Sequence, residues 1–92
     1  MRYNEPAFMS GWSVYLARCA DGSLYTGIAR DPVKRLAEHN AGRGSKYVRS
    51  RRPARLVCVQ AYASRSAALR REAAIKRMTR GEKIELIRIF AK

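Results

Sequence analysis

Five side chains of this 92-residue sequence suit phosphodiester hydrolysis: Tyr15, Tyr25, Arg35, His39 and Glu72. That reaction needs a group acting on water, a cation on the phosphate and a metal held by carboxylate. Tyr15 and Tyr25 flank an Asp21-Gly22 turn, and pairing about that turn brings them close. Their simplest use is a cross-strand aromatic pair. Gly27 follows two residues after Tyr25, where a strand glycine marks a bulge or a close backbone approach. Arg35 and His39 are four apart and share a helix face. His39 is the sole histidine. It is a candidate proton carrier or phosphate contact, or else a plain surface or capping residue. Glu72 falls at the edge of an apolar helix stripe, and a buried carboxylate needs a partner or a metal. The simplest partner is Lys76, four residues on.

These residues lie in a strongly basic chain, with 20 Lys plus Arg against 7 Asp plus Glu and a net charge of +13. Residues 41–71 hold nine basic residues and no acid: Arg43, Lys46, Arg49, Arg51, Arg52, Arg55, Arg65, Arg70 and Arg71. Such a stretch repels itself, and a polyanion relieves the repulsion by releasing counterions as it binds. Arg outnumbers Lys, and its forked donors suit phosphate. The expected nucleic-acid contacts are Arg43, Lys46, Arg49, Arg51, Arg52 and Arg55. The plainer alternative is a solvated basic surface.

The elements that must position these groups follow from local pattern. Met1–Gly11 reads as a loose lead-in. Trp12–Cys19 alternates as a strand, with Trp12, Val14, Leu16 and Arg18 on one face and Ser13, Tyr15, Ala17 and Cys19 on the other. The Asp-Gly turn predicts an antiparallel hairpin with a second strand, Leu24–Ala29. Asp31-Pro32 opens a helix as N-cap and first residue. Val33, Leu36, Ala37 and Asn40 are expected on its inner face, and Gly42 stops it. Residues 42–53 read as a basic loop without apolar period. Leu56–Tyr62 is a third strand. Ser64 or Ser66 caps a helix through about Met78, with Ala68, Leu69, Ile75 and Met78 as its apolar side. Thr79-Arg80-Gly81-Glu82 is a capping box opening a last helix with Ile84, Leu86, Ile87 and Phe90 inward. The order β-β-α-β-α-α predicts a single α+β domain over 1–92, with a core of about 11–80 and a last helix of about 80–91.

Several classes are excluded. No apolar run approaches the roughly 18 residues of a membrane span. Met1–Phe8 carries Glu5 and Pro6 and has no apolar signal region. Cys19 and Cys58 are far apart, which is neither a zinc pattern nor a disulfide framework. Both are expected as buried thiols, in a cytoplasmic protein. One histidine and two remote cysteines are too few for zinc.

The order and spacing of these residues resemble the GIY-YIG nuclease family, in particular its small stand-alone bacterial members. Its two half-motifs correspond to Ser13-Val14-Tyr15 and Tyr25-Thr26-Gly27. Arg35, His39 and Asn40 resemble its Arg-x-x-x-His-Asn. Arg71-Glu72-Ala73-Ala74-Ile75-Lys76 resembles the segment with its metal-binding Glu. The match covers about residues 11–80. The first half-motif lacks its Gly and Ile. Ile28 stands where some members have Lys, and no Asn follows Glu72.

The resemblance implies a three-stranded antiparallel sheet flanked by helices, and metal-dependent cleavage of one strand at a time. By position, Tyr15 and Tyr25 would line the site, one as base or water-orienting group. Arg35 would bind the scissile phosphate. His39 would assist proton transfer or hold a tyrosine, and Glu72 would hold one Mg²⁺ or Mn²⁺. The expected function is a structure- or damage-related endonuclease acting on DNA rather than RNA. A protein partner for targeting is a further expectation, since 92 residues leave no separate specificity domain. The alternative is a nucleic-acid-binding module on the same fold, without turnover.

Overall fold

The structure, a computed structural model, describes residues 11–90. The expected lead-in therefore lies outside the described residues, apart from Gly11. Three strands, β1 (Trp12–Arg18), β2 (Leu24–Ala29) and β3 (Arg55–Tyr62), form one antiparallel sheet in the order β2-β1-β3. Four helices accompany them: α1 (Pro32–Asn40), α2 (Lys46–Arg49), α3 (Arg65–Lys76) and α4 (Arg80–Phe90). The protein is α+β, as the element order predicts.

β1 is central and apolar on both faces, so each face needs its own cover. Tyr15, Ala17 and Cys19 pack with Leu36 of α1 and Val48 of α2. Val14 and Leu16 pack with Ala68 and Ile75 of α3 and Leu86 of α4. The predicted alternation holds along the whole strand. A bulge in the β1–β3 pairing lets β3 place both Val57 and Cys58 on the α3 side. Cys19 and Cys58 are buried free thiols.

The element starts follow their sequence chemistry. Asp21 accepts from the Ser23 amide and hydroxyl and fixes the hairpin turn. Asp31 accepts from the Lys34 amide at the start of α1, with Pro32 next. Ser64, not Ser66, caps α3. Thr79 and Glu82 exchange the reciprocal bonds of a capping box.

The helix faces required correction. On α1 the buried residues are Pro32, Leu36 and His39, whereas Val33 and Ala37 lie exposed. A histidine fills the inward position because it has a buried polar partner across the sheet. On α3, Leu69 is exposed, and Ala68 and Ile75 alone are fully buried. The helix ends at Lys76 rather than Met78. On α4, Ile84 and Phe90 are exposed and Leu86 is buried, because only one stripe of this outermost helix meets β3.

The basic segment is also more ordered than its composition suggested. Ser45 caps the single turn of α2 by accepting from the Tyr47 and Val48 amides. Val48 is wholly buried. The segment's end is clipped back to α1 by Asn40, which donates to the Ala54 carbonyl and accepts from its amide, both at 2.8 Å.

Asn40→Ala should leave both Ala54 groups unpaired in a buried position. We expect a loss of about 1–3 kcal/mol, read from urea unfolding. Asn40→Asp keeps the acceptor but sets a carboxylate oxygen against the Ala54 carbonyl, and should lose at least as much.

Candidate active site

The hairpin register sets Tyr15 opposite Gly27 and Tyr25 opposite Ala17, so the two tyrosines are diagonal neighbours. Their ring centroids are 6.2 Å apart. The Tyr15 ring lies across Gly27. A Cβ at that glycine would stand 2.7 Å from the Tyr15 oxygen. Absence of a side chain therefore allows the phenol to extend over the edge strand.

His39 rises from α1 to meet it, with Nε2 3.1 Å from the Tyr15 oxygen. The other ring nitrogen decides the direction of that bond. Nδ1 receives the Ser45 backbone amide at 2.9 Å. An amide can only donate, so Nδ1 carries no proton. The neutral ring then has its proton on Nε2 and donates to Tyr15. The Tyr15 oxygen is an acceptor here, and its own proton is left for another oxygen. Gly44 permits this approach of the backbone, because a Cβ there would fall 1.8 Å from Nδ1.

Electrostatics keep both groups neutral in the free protein. Burial pushes the Tyr15 phenol well above its ordinary value, with neighbouring Tyr25 and Glu72 adding to the rise and Arg35 opposing it. Burial also lowers the His39 pKa, aided by Arg35 and opposed by Glu38. Arg35 and Glu72 thus act on the Tyr15 oxygen from two helices. Arg35 is itself exposed and pairs with Glu38 at 2.9 Å. Glu72 is mostly buried, its side chain 17% exposed, and Lys76 lies 3.3 Å from Oε2. The expected i,i+4 pair is present, and Oε1 shows no hydrogen bond or ion pair to another described residue.

The structure therefore brings Tyr15, Tyr25 and His39 into contact, with Arg35 and Glu72 within electrostatic reach. Among the described residues no group of three or more His, Cys, Asp or Glu could enclose a metal. A single carboxylate of this kind suits a hard cation that keeps its waters and takes further oxygens from substrate phosphate.

Tyr47 belongs to the site and escaped the sequence reading. Its ring stacks on Tyr25 at 6.0 Å, and the Tyr25 ring meets His39 edge-on at 5.5 Å. Arg51 closes the stack, its guanidinium 3.8 Å from the Tyr47 ring centre. Ser45 and Gly44 were missed too. The available signal was Gly-Ser ahead of an apolar residue, the start of a capped turn.

The expected nucleic-acid contacts separate into two groups. Arg51 is committed within the fold, to Asp21 at 3.1 Å and to the Tyr47 carbonyl. Arg52 donates to the carbonyls of Arg49 and Asn40. Arg43, Lys46, Arg49 and Arg55 form no ion pair among the described residues.

Residues 11–85 match the model of the GIY-YIG catalytic domain. A UPF0213 protein of Staphylococcus aureus (strain N315) is 48% identical over 80 residues, covering 87% of this chain and 98% of that protein. The solution NMR structure of a UPF0213 protein from Bacillus halodurans aligns with a TM-score of 0.59 at 38% identity, covering 88% of this chain and 86% of that one. A solution NMR structure of a protein from E. faecalis aligns with a TM-score of 0.60 at 36% identity, covering 87% and 85% of the two chains. By these matches the chain belongs to the GIY-YIG family.

Proposed function

We propose that the protein is a divalent-metal-dependent endonuclease that hydrolyses phosphodiester bonds, in DNA rather than RNA. One observation carries the reading: a buried phenol held by an imidazole of fixed tautomer, with a cation and a carboxylate acting on its oxygen. A module that only binds nucleic acid gains nothing from that arrangement. The net charge of +13 suits either reading and does not decide between them.

In this reading His39 is a positioning residue. Its Nε2 proton holds Tyr15 and makes the phenol oxygen an acceptor. Tyr15 then donates its own hydrogen bond to a phosphate oxygen, where charge develops. Arg35 exchanges Glu38 for the scissile phosphate. Tyr25, through its ring, packs Tyr15 and His39 in place. Glu72 would hold Mg²⁺ or Mn²⁺, which supplies an activated water and charge neutralisation on the phosphate. Holding a cation would also cancel the upward pull of Glu72 on the Tyr15 pKa. No helix of the described residues is long and apolar enough to cross a membrane.

Nicking of supercoiled plasmid with Mg²⁺ or Mn²⁺ tests the reading. Tyr15→Phe should lower the rate at least about a hundredfold, the usual scale for removing one donor aimed at developing charge. Tyr25→Phe keeps the ring contacts and should lose much less. Equal, full activity in both variants would leave only an aromatic pair. Glu72→Gln should abolish metal-dependent nicking while metal-free binding stays equal or tightens. Wild-type nicking by that variant, with contaminating nuclease excluded, would remove the metal assignment.

His39 also predicts a pH dependence. Its folded pKa is lowered, so the unfolded chain takes up the proton first as pH falls below about 6.5. Stability should therefore drop with pH from that point, until the folded form protonates as well. The lowered carboxylates Asp21, Glu38 and Glu85 lose their contribution only at lower pH. Urea unfolding between pH 7.5 and 5.5 should show the fall in wild type. In His39→Gln the fall should be absent.

A further inference from the structure

Arg18 and Arg55 stand directly opposite one another on β1 and β3. Paired residues of neighbouring strands point to the same face, and like charges so placed destabilise the sheet. Arg18 is the last residue of β1, at the end of the strand beyond Tyr15. It lies three residues along from Tyr15, about 10 Å at the rise of a strand. This is a position distinct from the tyrosine site.

No acid of the described residues offsets the pair. Asp21 serves the turn and Arg51, and Asp31 caps α1. Glu38, Glu72 and Glu85 are paired with Arg35, Lys76 and Arg88. Glu82 completes the capping box. The Arg18 Nε is moreover buried without any hydrogen-bond partner. A buried donor left unsatisfied on a charged group is costly and calls for an acceptor.

Space for one is present. Arg18 and Arg55 line an open cavity of about 430 Å³, closed at its sides by Cys19, Gly22, Pro53 and Ala54. The backbone around it has little to offer an anion. The Cys19, Ala20 and Gly22 amides bond the Ser23, Arg51 and Cys19 carbonyls. The Ala54 amide bonds Asn40, and Pro53 has none. The guanidinium groups remain as donors, and two forked guanidinium groups match the oxygens of a phosphate group.

We propose that Arg18 and Arg55 form a subsite for a phosphate group, separate from the tyrosine site. As a contact to a nucleic-acid backbone the subsite rests on the nuclease reading. As a site for a free phosphate ion it does not. The cross-strand repulsion is the cost of an empty subsite, and a bound phosphate reverses it.

The experiment follows the arginine Nε–H resonances of the full chain by NMR. Inorganic phosphate and a short DNA duplex are each titrated against chloride at equal ionic strength. Shifts of Arg18 and Arg55 with both place a backbone phosphate there. Shifts with inorganic phosphate alone keep the subsite and assign it to the free ion. No shift of either residue with either probe overturns it. As a second measurement, Arg55→Gln should raise Tm in chloride and lose the Tm gain that phosphate gives wild type. An unchanged phosphate gain would overturn the proposal. For a backbone contact, Arg18→Gln with Arg55→Gln should flatten the slope of log K against log salt by about two units. The two readings fail separately. A protein that nicks plasmid while Arg18 and Arg55 stay silent loses the subsite alone. One that never nicks while both residues respond to phosphate loses the nuclease reading alone.

Discussion

The Ser45 amide on His39 Nδ1 is the bond on which the site depends. Its net worth to stability is only about 1 kcal/mol. Its consequence is larger, because it fixes which ring nitrogen carries the proton and hence which way the bond to Tyr15 runs. Much of the local fold serves that one contact. Helix α1 must end just past His39, and the chain must return over the imidazole face. Gly44 lets it come close enough, and Val48 anchors the turn that follows. Asn40, adjacent to His39, ties the far end of the same segment to the start of β3. The basic segment is therefore a structural strap across the site as well as a source of charge.

The strap explains what the sequence could and could not disclose. The hairpin, the helix caps and both faces of β1 were legible, because each is decided by residues within a few positions of one another. The inner face of α1 was not. A hydrophobic pattern favours Val33 and Ala37 for the interior, but the buried stripe is Pro32, Leu36 and His39. The Tyr15 oxygen, 24 residues away in sequence, and the Ser45 amide together make a buried imidazole tolerable. Arg35 and His39 were legible as a pair by spacing. Yet four residues on a helix leave an angular offset of about 40°. That offset is enough to bury one and expose the other. Tyr15, Tyr25 and His39 meet as the turn and helix spacing suggested, whereas Gly44, Ser45 and Tyr47 reach them by a chain return that no short-range pattern specifies.

The charge distribution has the same character. Arg51 lies within the basic run, but the fold uses it against Asp21 and the Tyr47 ring. Composition overstates the charge that such a segment can offer a polyanion. The opposite error occurs at Arg18, which an alternating strand makes look like an ordinary end residue. Pairing with Arg55 across the bulged β1–β3 ladder gives it a like-charged neighbour that no local reading reveals.

The site also exploits the position of β2 at the edge of a sheet covered on both faces. Tyr15 and His39 belong to the α1 face, while Glu72 rides on α3, which covers the other. In a wider sheet such groups would be kept apart by a further strand. Here β2 is the last strand, and Gly27 removes the one side chain that would hold the phenol back. The Tyr15 oxygen therefore reaches over the edge strand while the ring stays buried, and it feels the Glu72 charge from α3. Keeping the two layers distinct lets the phenol and its imidazole stay dry and rigid while Arg35 remains in solvent and Glu72 keeps partial access to it. A buried phenol that must meet a hydrated phosphate needs that separation. An edge strand thinned by a glycine provides it with only three strands.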